Sequence, residues 1–100
     1  MLKTPDVDIK VHKVSHWIVE CVLANHYGKE RALVIGDAAH RHPPTTGLGL
    51  NSGIQDAHNI AWKLAAVIKG QADHKLMSTY EAERRPVAAR NTQWALLTFM

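Results

Sequence analysis

The spacing of hydrophobic positions changes several times along the chain, and each change marks a different element. From Ile9 to Leu23 (IKVHKVSHWIVECVL) the apolar residues are Ile9, Val11, Val14, Trp17, Val19, Cys21 and Leu23; from Trp17 onward they alternate with Ile, Glu and Val. A period of two in β-formers predicts one or two strands with an irregularity near Ser15. Residues 24–31, ANHYGKER, are polar and predict a connection turning at Gly28. Ala32 to Ile35 is short and apolar on both faces, the pattern of a strand buried inside a parallel sheet.

The period then becomes helical. Between Gly53 and Lys69, Ile54, Ala57, Ala61, Leu64, Ala65 and Ile68 form one stripe at three- and four-residue spacing, while Gln55, Asp56, Asn59 and Lys63 lie elsewhere. This predicts an amphipathic helix packed on a sheet and ended by Gly70 as its C-cap. Ser78-Thr79-Tyr80-Glu81 fits a capping box opening a second helix, and Pro86 predicts a kink or break in it. Helical composition resumes from Val87 and continues to Met100 without a stop signal.

Composition narrows the class without changing these elements. One hundred residues make a small single domain or one piece of a larger one, and 46% apolar with 21% charged residues argues for a folded chain. The net charge of +3 comes from scattered basic residues interleaved with Asp and Glu, a solvated surface with no nucleic-acid patch expected. No apolar run reaches the ~20 residues of a membrane span and the first ten residues lack a signal-peptide core, so a cytoplasmic location is expected. Cys21 is the one cysteine, which leaves no internal disulfide and predicts a buried small hydrophobe.

Candidate chemistry gathers between Ala32 and Lys63. Four of the six glycines (Gly36, Gly47, Gly49, Gly53) fall there, so this is where backbone geometry is most specified. Asp37 follows a strand end, where ligands sit in α/β sheets; it can accept from a sugar or polyol hydroxyl, or serve as a turn or cap residue. Pro43-Pro44 holds the chain extended and constrains His42. TTGLGLNSG leads into a helix start, whose free N–H groups and positive dipole end suit an anion or an electron-rich heterocycle, although such glycines also serve ordinary helix entry. His40-Arg41-His42 has chelating spacing, but no Cys or carboxylate stands beside it at ligand spacing, so no metal site is expected.

These residues also carry a family resemblance. GDAAHRHPPTTGLGLNSGIQDAHNIAWKLAAVIKG followed by TYEAERRPVA resembles the C-terminal FAD-contacting segment of the class A FAD-dependent aromatic hydroxylases, the flavoprotein monooxygenases related to para-hydroxybenzoate hydroxylase. The RHPPT variant is most similar to the phenol and 2,4-dichlorophenol 6-monooxygenase branch. The resemblance covers residues 32–87, with Ile9 to Leu23 similar to the last strand region before that family's chain returns to its FAD domain. It implies an α/β fold, part of a Rossmann-like FAD-binding domain with one or two β-strands, a Gly-Asp loop and two or three α-helices. Residues 1–31 would end the substrate-domain sheet and form the return connection, and residues 32–100 would be the C-terminal part of the FAD-binding domain.

At matching positions the resemblance implies that Asp37 binds a ribityl hydroxyl of FAD beside the turn at Gly36. Pro43 and Pro44 would lie near the isoalloxazine ring and the substrate, and Gly47, Gly49, Leu50 and Asn51 would run along the flavin, with the last two amides at the pyrimidine edge. His40 and Arg41 stay outside the catalytic set, and no residue of the chain is given a catalytic role. The implied reaction is ortho-hydroxylation of a phenol or chlorophenol through a flavin C4a-hydroperoxide, with NAD(P)H as reductant and dioxygen as co-substrate. The G-x-G-x-x-G turn that holds the ADP half of FAD is not in the sequence, so the chain is expected to be an inactive fragment in isolation, its missing partner being the remainder of the enzyme. Two alternatives stand beside this reading: a non-catalytic remnant or helix-mediated interaction module, and another FAD-dependent oxidoreductase of the same superfamily.

Overall fold

Two long helices carry the molecule. The computed structural model describes residues 7–16, 18–44 and 47–99. Helix α1 runs Leu48–Ile68 and helix α2 runs Ser78–Phe99. Four two-residue strands precede them: β1 (Val22–Leu23), β2 (Gly28–Lys29), β3 (Ala32–Leu33) and β4 (His40–Arg41). They form two antiparallel ladders, β1 with β4 and β2 with β3. A 3-10 turn at Gly36–Ala38 lies between β3 and β4, and another at His74–Met77 leads into α2. The radius of gyration is 18.9 Å, well above the ~13 Å of a compact domain of this length.

The period-two pattern before residue 22 is not used for pairing here. Among the described residues of the Ile9–Leu23 segment only Val22–Leu23 is a strand, and Trp17 lies outside them. Ile9, Val11, Val14 and Ile18 are all exposed, Ile9 at 83%, so these apolar side chains have no cover among the described residues. Alternation supplies a face, but a strand also needs a neighbour to accept its ladder. The Ala32–Ile35 expectation is corrected for a related reason: the chain turns at Glu30-Arg31, with Glu30 at φ 56°, and brings Ala32–Leu33 back antiparallel on Gly28–Lys29 as an exposed hairpin. Local closure decides the partner before any parallel crossover can.

Both helices differ in detail from expectation. Helix α1 begins five residues earlier than Gly53, because Gly47 takes the left-handed conformation (φ 66°) as N-cap and the following residues continue straight into the helix. Its end is as expected in kind: Gly70 is left-handed at φ 74°, Gly70 N–H donates to Val67 C=O and Gln71 N–H to Ala66 C=O, the paired bonds of a Schellman motif. The capping box is not made. Ser78 and Thr79 donate back to the carbonyls of Lys75 and Leu76, Glu81 accepts the Tyr27 N–H, and Asp73 caps the preceding turn through Lys75 N–H. Pro86 does not break α2. It sits on the exposed side with Ala82, so the carbonyl that loses its donor faces water.

The largest correction concerns which side of α1 is covered. Ile54, Leu64 and Ile68 on the apolar stripe are 44–74% exposed, while Ser52, Asp56 and Lys63 are buried. Spacings of four and seven place Ser52, Asp56 and Lys63 on one face, and that face meets α2. Asn91 donates to Ser52 Oγ, Arg84 to Asp56 and the Lys63 ammonium to Glu83, in an antiparallel register. Matched charges from α2 make this polar stripe buriable, and no described element opposes the apolar one. The small core is Tyr27, Ala39, Tyr80 and Ala88, with Leu23, Ala24, Val34 and Ile60 against it.

Burial of the two tyrosines has a measurable consequence. Their rings lie 5.6 Å apart, and Tyr80 Oη donates to Val34 C=O at 2.7 Å. Burial first, and the nearby Asp56 charge second, push the Tyr27 phenol up from 10.0 to about 12 and raise Tyr80 in the same way. Because the folded-state value is the higher one, the stability from the neutral phenol is complete below pH 10 and is lost as pH climbs from 10 toward 12. Tyrosinate absorbance should therefore appear together with loss of helical circular dichroism. Two-stage behaviour, with both phenols ionising while the helices persist, would contradict their burial.

Candidate flavin-contacting site

The site starts from one buried carboxylate. Asp56, wholly enclosed on α1, accepts the Gly36 N–H at 3.2 Å and the His40 ring Nε2–H at 2.6 Å on Oδ2, and Arg84 Nε–H at 2.8 Å on Oδ1. A carboxylate has acceptor sites only, so the His40 nitrogen facing it is the donor. Arg84 also donates through Nη2–H to Gln55 Oε1 at 3.2 Å, so one guanidinium holds two consecutive residues of α1. The Gly-Asp turn is pressed close to the helix. Gly36 has φ 61°, and a Cβ built on Gly53 would stand 3.6 Å from Gly36 Cα, so the small residues allow the near approach.

Beyond that anchor an open groove of about 690 Å³ is bounded by Asp37, His40, Arg41, His42, Pro44 and Gly49 on one side and residues of the 16–20 segment on the other. The Asp37 carboxylate is exposed and makes no hydrogen bond with the described residues. His42 stacks on His40, rings 6.1 Å apart, and neither of its ring nitrogens has a partner among the described residues. Burial, then the neighbouring His40, lowers its pKa, which favours the neutral ring. Arg41 is held by Glu20 at 2.6 Å. Pro43 is buried and Pro44 exposed to the groove.

The first turn of α1 reaches the groove at Gly49. With Gly47 as N-cap, the N–H groups of Gly47, Leu48, Gly49 and Leu50 have no acceptor within α1, and the positive end of its dipole lies behind them. Asn51 is one residue past this set, with its side-chain amide donating to Gly47 C=O at 3.2 Å. A Cβ on Gly49 would stand 3.9 Å from His42 Nε2, so glycine keeps that wall flat. The groove therefore joins Asp37, Pro44 and Gly49, while Gly36, Leu50 and Asn51 lie outside its lining. Gly47 has open space around it, and Pro43 supports Pro44 from the buried side. Free acceptor, free donors, orphaned imidazole and a flat glycine wall suit an elongated ligand with hydroxyls and an electron-rich ring.

Residues 1–95 match the family described as FAD binding domain. This chain belongs to that family. Its relatives are class A flavin-dependent aromatic monooxygenases, as the Gly-Asp block implied. It is 47% identical over 96 residues to the 4-methyl-5-nitrocatechol 5-monooxygenase of a Burkholderia sp, covering 96% of this chain and 18% of that relative. It is 48% identical over 82 residues to the 2,4-dichlorophenol 6-monooxygenase of Cupriavidus pinatubonensis, covering 82% and 14%. Among solved structures, the flavin-dependent monooxygenase PieE, in complex with FAD and substrate, superposes with a TM-score of 0.78 at 41% identity over 80% of this chain and 14% of that one. The chain thus spans less than a fifth of the length of these FAD-domain relatives. The fold is a part of the FAD-binding domain.

Of the residues nominated from the sequence, Asp37, Pro44 and Gly49 line the groove, Gly36, Pro43, Gly47, Leu50 and Asn51 do not, and the side chains that hold the loop are not among those nominated. Asp56 and His40 were set aside, one as an off-stripe polar residue and the other as part of a loop. The available signal was the second helical stripe, Ser52, Asp56 and Lys63, facing Glu83, Arg84 and Asn91 of the next helix. Among the described residues no group of three or more His, Cys, Asp or Glu is arranged to hold a metal ion, and no helix is long and apolar enough to cross a membrane. Cys21 is exposed, contrary to the expected buried hydrophobe.

Proposed function

We propose that residues 32–100 form the ribityl- and ring-contacting half of the FAD site of an NAD(P)H-dependent monooxygenase that hydroxylates a phenol or chlorophenol ortho to its hydroxyl. Residues 1–31 belong, in this reading, to the end of the substrate-domain sheet and its return connection. The observation that carries the proposal is the groove itself: it is lined by Asp37, whose carboxylate bonds to nothing described, by Pro44, and by Gly49 in the first turn of α1, where backbone N–H groups have no acceptor within the helix. Asp37 accepts from a ribityl hydroxyl. The α1 entrance favours negative charge on a ring edge placed against the Gly49 and Leu50 amides, with Asn51 beside them. Pro43 and Pro44 exclude water and set the height of the substrate. Bound FAD supplies the redox and oxygen chemistry, with NAD(P)H consumed and dioxygen split between the phenolic product and water.

The exposed stripe Ile54, Leu64 and Ile68 is the seat for the remaining FAD-domain layer in this reading. The same stripe supports the second reading, a module that recruits a different partner through α1. The two separate in one experiment: these residues replace the matched segment of the catechol monooxygenase relative, and the purified protein is examined for flavin absorbance and for NAD(P)H consumption with a panel of phenols. Retained flavin and phenol-dependent turnover are expected, while the isolated hundred residues bind FAD weakly or not at all. A full-length enzyme carrying this segment that never retains flavin would refute the proposal.

A further inference from the structure

We propose that Asp56 is a positioning residue for the cofactor, acting through the Gly36-Asp37 turn without touching the ligand. This rests on the flavin reading above and adds to it the residue that sets the aim of Asp37. The Asp37 side chain is exposed and makes no hydrogen bond with the described residues, so none of them fixes its direction. Its backbone is fixed instead by the residue before it, whose N–H is held on Asp56 Oδ2 at 3.2 Å. The same oxygen holds His40 at 2.6 Å, which ties the far end of the 3-10 turn and the start of the His42-Pro43-Pro44 wall to the same point. Arg84 Nε–H, on Oδ1 at 2.8 Å, stops the carboxylate from rotating. One buried side chain therefore spans both ends of the loop that presents Asp37, and it stands on the helix whose first turn lines the groove at Gly49.

If Asp56 acts through Asp37, the two residues are not independent in ligand affinity, although no direct contact joins them. The test is a double-mutant cycle on the flavin-loaded full-length enzyme described above, with FAD dissociation constants for wild type, Asp56→Asn, Asp37→Ala and the double variant. Asp56→Asn should weaken FAD about tenfold when Asp37 is present and less than about twofold when it is absent, a coupling within the range seen for residues sharing one network. A merely structural role would lower thermal stability equally in both backgrounds and give additive losses in affinity, and that additivity would overturn the proposal. Failure of the flavin reading looks different: Asp37→Ala alone would then leave FAD affinity unchanged. Should Asp56→Asn lose its helical circular dichroism, the cycle is run with Arg84→Lys, which keeps the charge and loses the Nε–H fork. Coupling with Asp37 supports the proposal and additivity defeats it.

Discussion

Replacing Asp56 with alanine is expected to lower the stability of the chain by about 3–5 kcal/mol, the largest effect of any single substitution argued for this fold. The magnitude follows from what is left behind. Arg84 and His40 are 12% and 1% exposed, so neither recovers water when its partner disappears. The Gly36 N–H loses its acceptor as well. Asp56→Asn keeps the shape and one acceptor oxygen, but its amide nitrogen must face a donor, so a smaller loss of about 1–3 kcal/mol is expected. Urea unfolding measures both, read as a shift of midpoint at unchanged slope. A loss below about 1 kcal/mol for the alanine variant would mean that the network contributes little and that the loop is held by packing alone. Small domains have only about 5–15 kcal/mol in total, so the full loss leaves a marginal protein.

That prediction also marks the boundary of what the sequence could tell. The Gly-Asp block, the glycine entrance to α1, the Schellman end at Gly70 and the two helices are written in local residue choices, because each depends on a turn or a cap within a few positions. Pairing is a different kind of information. The stripe at Ile54, Leu64 and Ile68 is real, yet hydrophobicity states only that a face prefers cover, not that cover is at hand. The face that is buried, Ser52, Asp56 and Lys63, reads as polar until α2 brings Asn91, Arg84 and Glu83 opposite it. Likewise His40 looks like loop furniture beside Arg41 and His42, since its partner is sixteen residues away on a helix. Ile9 to Cys21 shows the converse failure, a strand pattern with no neighbouring strand among the described residues, pairing beginning only at Val22.

Asp37 should behave in the opposite way to Asp56, and the contrast separates binding from folding. Its carboxylate is exposed and bonds to nothing described. Asp37→Ala therefore removes no internal partner, and the unliganded protein should keep its stability to within about 0.5 kcal/mol, as at ordinary surface positions. In the flavin-loaded enzyme the same change deletes a charge-assisted acceptor for a ribityl hydroxyl, worth about 1.5–3 kcal/mol, or roughly 10- to 150-fold in FAD dissociation constant. Asp37→Asn, which keeps an acceptor oxygen without the charge, should fall between. Fluorescence titration of apoenzyme with FAD gives the affinities, and thermal unfolding without FAD gives the control. Unchanged FAD affinity in the alanine variant would remove Asp37 from the cofactor site. A large drop in the stability of the unliganded variant would show instead that its carboxylate holds the turn, a task the geometry gives to Asp56.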